Sequence, residues 1–105
     1  MPLLRVSARI HPIRAAKAIV GLIHTHQHAE IQALGPSAVQ QVAKAILRAT
    51  AHLEDEGIDI IVSKVRFIKA GADHNEKEGY RFIIEQCRRP GSSDVNRLQS
   101  PLHGN

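Results

Sequence analysis

Two hydrophobic periods alternate along this chain of 105 residues, and their order restricts the folds that it can adopt. Residues 4–8 alternate apolar with polar side chains, which is the pattern of a strand with one buried face. From Ile13 to about His28, apolar residues recur at helical spacing, directly after a proline at the position that suits a helix start. A short apolar run at 30–34 predicts a second strand, which Gly35 and Pro36 end.

The second helix is the most strongly patterned segment of the chain. Ser37 followed three residues later by Gln40 predicts a capping box at its start. Gly57 predicts its end, because glycine readily takes the left-handed conformation of a helix stop. The apolar stripe predicted between them consists of Val39, Val42, Ala43, Ile46, Thr50 and Leu53. Gly21 lies inside the first helix at a cost in stability relative to alanine, and a close contact with the sheet would explain a glycine there.

Two further strands are predicted in the second half of the chain. Residues 58–68 form a long β-branched run whose apolar positions change parity near Ser63 and Lys64, which predicts a bulge. Residues 80–87 read as its partner strand, and the polar segment 71–79 joins the two as a hairpin tip.

This order of elements predicts an α/β fold. Strands that alternate with helices are joined as parallel neighbours by right-handed crossovers, and the last two strands pair antiparallel through their hairpin. We predict a two-layer sandwich of order β-α-β-α-β-β, with a mixed four-stranded sheet and both helices on one face. Residues 1–89 form the predicted domain, and the composition of 90–105 predicts a disordered tail.

Composition narrows the class of protein. Cys87 is the only cysteine, which excludes an intrachain disulfide and indicates a reducing compartment, with the thiol on a half-buried strand. No apolar run reaches the roughly 18 residues of a membrane span. Paired catalytic carboxylates, a nucleophile motif and a glycine-rich phosphate loop are all missing from the sequence. We expect a soluble cytoplasmic protein that is not an enzyme and needs no cofactor.

Charge is unevenly distributed along the chain. Residues 1–50 hold six Lys or Arg against the single acid Glu30, whereas residues 51–105 hold eight against nine acids. If the first two strands are parallel, both helices start at the same end of the sheet, and helix starts attract anions. The residues there that we predict to contact a nucleic-acid backbone are Arg9, His11, Arg14, Lys17, Ser37, Gln40 and Lys44. The alternative is an ordinary solvated surface that happens to carry cations.

The hairpin adds three further candidate contacts with nucleic acid, Lys64, Arg66 and Lys69. Basic two-stranded ribbons can follow a groove or a backbone, but the acids at 73, 76 and 78 share the same tip. The alternative is a charged edge that discourages aggregation between sheets. The chain's aromatic residues are Phe67, Tyr80 and Phe82, and this scarcity favours contacts with sugar and phosphate over stacking on bases.

The sequence His24-Thr-His26-Gln-His28 raises the question of a metal site, since positions 24 and 28 would share a helical face. Glu30 is the only nearby carboxylate, and imidazolium groups are favoured at the end of a helix by its dipole. We therefore predict no metal site here.

Three segments resemble the stage V sporulation protein S family. They are Leu-Leu-Arg-Val-Ser-Ala-Arg at 3–9, Ala-Glu-Ile-Gln-Ala-Leu-Gly at 29–35 and Ala-Val-Gln-Gln-Val-Ala-Lys-Ala-Ile at 38–46. The resemblance implies an Alba-like fold, which is shared by small dimeric nucleic-acid-binding proteins, and a regulatory role connected with sporulation. It also places Arg9 and Lys44 on two lysines of the family pattern.

Two hypotheses from different classes follow. The first is a cytoplasmic homodimer that binds DNA or RNA through the phosphate backbone without chemistry. The second is a protein-interaction or assembly module on the same fold, since fold does not dictate function and a net charge of +4 is small for a nucleic-acid binder.

Overall fold

The computed structural model describes residues 2–71 and 76–87, and these residues form four strands and two helices. The elements are β1 (Leu3–Val6), α1 (Pro12–His26), β2 (His28–Leu34), α2 (Pro36–Asp55), β3 (Asp59–Ala70) and β4 (Lys77–Cys87). The predicted order and the two-layer α/β fold are confirmed. The tail predicted at 90–105 lies outside the described residues.

The four strands form one mixed sheet in the order β1-β2-β4-β3. β1 and β2 are parallel, whereas β4 is antiparallel to both of its neighbours, so β1 and β3 are the edges. The predicted bulge in β3 is confirmed, because the register with β4 shifts between Val62 and Lys64. It follows that β1, β2 and β3 all finish at the same end of the sheet. We call this end, where both helices start and the β3–β4 hairpin turns, the hairpin end.

The core lies between the helices and one face of the sheet, and five of the nine buried positions on the helices are alanine. The inward face of α2 consists of Ala38, Val42, Ala45, Ala49 and Leu53. The predicted stripe was therefore rotated, and Ala43 is exposed rather than buried. Small side chains on the buried face let α2 approach α1 and the sheet closely. The sequence prediction relied on large aliphatic residues and therefore missed the buried alanines.

The helix boundaries differ from the prediction in two places. α2 begins at Pro36 after Gly35 and has no side-chain cap, so the capping box at Ser37 is wrong. Proline suits the first helical position, which moves the start one residue earlier. α1 ends at His26, because Gln27 adopts a left-handed conformation with φ 64°. His28 therefore belongs to β2 and shares no helical face with His24.

Two glycines test the conformational predictions. Gly57 has φ 80°, which confirms its role as the stop of α2. A close contact with the sheet does not explain Gly21, because the residue is exposed and a side chain there would meet no atom within 4 Å.

Candidate functional site

The two helix starts lie side by side at the hairpin end. Parallel pairing of β1 with β2 brings the loop before α1 next to the first turns of α2. The Gln41 side chain joins them, because its Nε2 donates to the carbonyl oxygens of Ile10 at 3.0 Å and Ala8 at 3.4 Å. This contact fixes the loop that carries Arg9 against α2.

The start of α1 supplies cations rather than peptide N–H groups. The Nδ1 of His11 accepts from the Ile13 N–H at 3.2 Å, so the imidazole caps the helix. The N–H groups of Arg14 and Ala15 donate to the carbonyl oxygen of His11, at 3.0 and 3.2 Å. Arg9 and Arg14 are exposed and present their guanidinium groups to solvent. His11 is therefore used to cap α1, whereas the two arginine side chains remain accessible to a ligand.

The start of α2 offers fewer donors than the sequence indicated. The Val39 N–H donates to the carbonyl oxygen of Gly35 at 3.1 Å and is therefore not free for a ligand. Gly35 in turn donates to the Glu78 carbonyl of the hairpin at 2.7 Å. Ser37 and Ala38 precede the first helical partner carbonyl, but Ala38 is buried. Ser37 is therefore the accessible peptide donor at this start.

Two predicted cations lie away from the helix starts. At a rise of about 1.5 Å per residue, Lys17 lies about 7.5 Å and Lys44 about 12 Å along their helices from the first residue. Lys17 lines a groove of 290 Å³ between α1 and α2, together with Arg48 and His52. Both lysines therefore belong to the solvent face of the helical layer, and Lys44 is not in the first turns as predicted.

The β3–β4 hairpin carries three predicted residues, of which Lys69 lies near the tip, whereas Lys64 and Arg66 lie beside the middle of β2. Leu34, the last residue of β2, and Ile68 of β3 both align with Gly79 of β4. Beyond this level only β3 and β4 continue, and we call this two-stranded extension the arm. A side chain at Gly79 would collide with the backbone of Ala33 and Leu34, which explains glycine there. All ten predicted site residues are exposed: Arg9, His11, Arg14, Lys17, Ser37, Gln40, Lys44, Lys64, Arg66 and Lys69.

The outer face of the sheet carries cations that the sequence prediction did not include. Arg5, Arg81 and Lys77 lie on the side opposite to the helices, as do Lys64 and Arg66. Alternation in the first strand already indicates that Arg5 points away from the core. The proximity of Arg5 to Arg81 depends on strand order, which local patterns do not reveal.

The three aromatic rings gather on the opposite, helix-facing side of the sheet. The ring centroids of Phe67 and Tyr80 are 5.8 Å apart, and those of Tyr80 and Phe82 are 6.3 Å apart. Phe67 is 53% exposed and Tyr80 is 40% exposed. With Pro36, Gln40 and their neighbours these two rings line a groove of 350 Å³. The sequence prediction considered only the small number of aromatic residues, because register across the hairpin is needed to bring them together.

The other end of the molecule is acidic and holds part of the histidine run. Glu54, Asp55 and Glu56 close α2, and one Glu56 carboxylate contacts both neighbouring imidazoles. Its Oε1 lies 2.6 Å from His24 Nε2, and its Oε2 lies 3.2 Å from His52 Nε2. The His24 hydrogen bond is the main cause that lowers the pKa of Glu56 below its ordinary value. In the described part of the chain, no three His, Cys, Asp or Glu side chains are grouped to hold a metal ion.

Two further observations concern the class of protein. None of the helices formed by residues 2–71 and 76–87 is long and apolar enough to cross a membrane. Cys87 is a free thiol of intermediate exposure at the end of β4, as predicted.

The fold and the charge distribution define a class: a small α/β sandwich protein with exposed arginines beside the two helix starts and three consecutive acids at the opposite end of α2. The family model of stage V sporulation protein S (SpoVS) matches residues 2–87, and the chain belongs to this family. It is therefore a sporulation-related protein, from a family that is not known as a family of enzymes.

Proposed function

We propose that this protein is a non-enzymatic regulatory protein of the cytoplasm that binds DNA or RNA through the phosphate backbone. The observation that carries the proposal is the concentration of exposed cations at the hairpin end. Arg9 and Arg14 lie there beside the exposed start of α2, and the arm adds Lys69. Lys64 and Arg66 lie farther from this end, on the outer face of the sheet. Contacts of Arg and Lys with phosphate position a nucleic acid without reading its sequence.

The acidic end favours one orientation of a bound polyanion. Glu54, Asp55 and Glu56 lie where α2 ends, at the opposite end from Arg9 and Arg14. Nearby like charges repel phosphates, and this repulsion directs the ligand toward the hairpin end. A net charge of +4 can thus be sufficient, because the position of the cations matters more than their total.

The test is the salt dependence of binding for a paired variant. Arg9→Gln with Arg14→Gln removes two guanidinium groups from the loop and the first turn of α1. We measure fluorescence anisotropy of labelled random-sequence duplex and single-stranded DNA and RNA at several salt concentrations. Each lost phosphate contact reduces the slope of log affinity against log salt by about 0.9 for duplex DNA and about 0.7 for a single strand. The double variant is expected to lose about twice these amounts.

A matched control uses the two lysines that lie along the helices. Lys17→Gln with Lys44→Gln removes the same total charge from the face of the helical layer, and we expect a nearly unchanged slope. Equal effects of the two pairs would mean that only net charge acts and that the hairpin end is not a site. Lack of binding by the unaltered protein to every probe at low salt would refute the proposal.

A second candidate function is an assembly module that binds protein and not nucleic acid. One observation favours it: β3 is an edge strand with Val62, Val65 and Phe67 exposed on its helix-facing side. Exposed apolar patches of this kind mark contacts between proteins. The same surface supports the proposal of a homodimer, which is compatible with either function.

A further inference from the structure

The sheet has one face without a layer of helices, and its polar side chains form a pattern across all four strands. Ile31, Ala33 and Ile84 belong to the core on the helix side, so their neighbours Gln32 and Arg81 lie on the outer face. Gln32 is only 8% exposed although no helix covers it, because the side chains around it enclose it. The side chains of the outer face therefore pack against one another around Gln32.

Strand register places three arginines in one line across this face. Arg5 pairs with Gln32, Gln32 pairs with Arg81, and Arg81 pairs with Arg66. Neighbouring strands lie about 4.8 Å apart, so the line from Arg5 to Arg66 spans about 14 Å. We call these four residues the cross-strand row.

The central arginine is held in place by its neighbours. The Nε of Arg81 donates to the Gln32 Oε1 at 2.9 Å, and its Nη1 donates to the Glu30 Oε2 at 3.2 Å. Arg81 is intermediate in exposure, and its remaining N–H groups are not used by these two bonds. A guanidinium fixed on one edge is suited to bind a phosphate oxygen with the other, since little side-chain entropy is then lost.

The two outer arginines lack such partners. Within residues 2–71 and 76–87, neither Arg5 nor Arg66 has an ion pair or a side-chain hydrogen bond. Arg66 also faces Arg81 directly across the β3–β4 pair, and like charges in this position destabilise a sheet. An anion bound between them would remove this repulsion.

The other side chains of the face indicate which anion fits. All three aromatic rings lie on the opposite side of the sheet, so bases find no stacking partner here. Glu30 and Glu85 lie on the side of the cross-strand row that is farther from the hairpin end, where they repel a second phosphate chain. The two carboxylates therefore favour the single sugar-phosphate backbone of one strand over the two backbones of a duplex.

We propose that the cross-strand row binds the sugar-phosphate backbone of a single nucleic-acid strand, which crosses the outer face of the sheet with its bases toward solvent. This inference rests on the proposed function and adds to it a second contact surface and a preferred form of ligand. Binding through this row is independent of base sequence.

The experiment compares Arg5→Gln with Arg66→Gln against the unaltered protein. Fluorescence anisotropy with labelled 12-nucleotide oligo-dT and a random-sequence single strand is measured over a salt series. We expect the slope of log affinity against log salt to fall by about 1.4, which is about 0.7 for each of two contacts with a single strand. The two probes are expected to respond alike, and duplex binding is expected to change less than single-strand binding.

The control is Lys17→Gln with Arg48→Gln, which removes two cations from the groove between the helices on the other side of the molecule. Circular dichroism verifies that both double variants are folded. An unchanged single-strand slope in Arg5→Gln/Arg66→Gln, with a reduced slope in Arg9→Gln/Arg14→Gln, overturns the cross-strand row and leaves the proposed function standing. Failure of the unaltered protein to bind any probe overturns both.

Discussion

At the scale of single residues, Glu56 connects the two helices where they end. Its carboxylate contacts His24 of α1 and His52 of its own helix, one imidazole at each oxygen. Both imidazoles lie near helix C-termini, where the dipole favours positive charge. The run of histidines that suggested a metal site thus includes a residue with a different role, because His24 holds a carboxylate that is 32 positions away in sequence.

The lowered pKa of Glu56 predicts how acid affects stability. A carboxyl group whose pKa is lower in the folded than in the unfolded state contributes stability above its unfolded pKa, and this contribution is lost as the pH falls through the folded pKa. From about pH 6 to about pH 3, the melting temperature of the unaltered protein should fall more steeply than that of Glu56→Gln. Thermal unfolding followed by circular dichroism measures both curves.

Glu54→Gln provides the control, since it removes one negative charge from the same end without the two histidine contacts. Its curve should follow that of the unaltered protein more closely than the Glu56→Gln curve does. Parallel curves for Glu56→Gln and the unaltered protein would show that the histidine contacts do not stabilise the fold.

At the scale of elements, alanines determine how the helices pack. Ala15 and Ala16 of α1 and Ala45 and Ala49 of α2 are buried, and the two helices contact each other along their lengths. Gly21 lies on the opposite side of α1, where no neighbouring atom requires the absence of a side chain. Its helical position therefore lowers stability without a packing benefit.

Gly21→Ala should stabilise the protein by about 0.5–1 kcal/mol, because alanine loses less conformational entropy in a helix and meets no neighbour. The midpoint of urea denaturation should rise with an unchanged m-value. Gly57→Ala is the matched control, since the same added methyl group is strained at φ 80° and should cost about 1–2 kcal/mol. A decrease in stability for Gly21→Ala would reveal a contact at this face that the monomer does not show.

At the scale of the whole molecule, the long edge strand β3 is the surface best suited to a contact with another chain. β3 has 12 residues, and an edge strand presents unpaired backbone groups that can join another chain. Val65 is 54% exposed, beside the exposed Phe67. Lys64 and Arg66 lie on the other side of the sheet, so Lys69 is the one cation of β3 that shares this apolar side.

We expect the protein to form a homodimer through this apolar side of β3. Val65→Glu with Phe67→Glu should shift the sedimenting species toward the 11.6 kDa monomer in analytical ultracentrifugation. Leu47→Glu is the control, because Leu47 is 73% exposed on α2. This substitution removes an apolar side chain from another surface. A dimer that survives the β3 substitutions would place the contact elsewhere, and a monomeric unaltered protein would contradict the expectation itself.

The sequence by itself determined the order of the elements, the bulge at Ser63 and the stop at Gly57. Each of these features depends on residues that are close in the chain: hydrophobic period, change of parity and glycine conformation. The cluster of Arg9 and Arg14 near Ser37 could also be predicted from the sequence, because parallel strands bring successive helix starts to one end of a sheet.

Only the tertiary structure decided which cations act together. The line of Arg5, Arg81 and Arg66 depends on the insertion of β4 between β2 and β3, and no local pattern specifies that strand order. The helix phase that exposes Ala43, and the use of His11 as a cap, depend likewise on contacts with distant parts of the chain. Periodicity selects the elements, whereas packing and register select their neighbours, and a binding surface is made of neighbours.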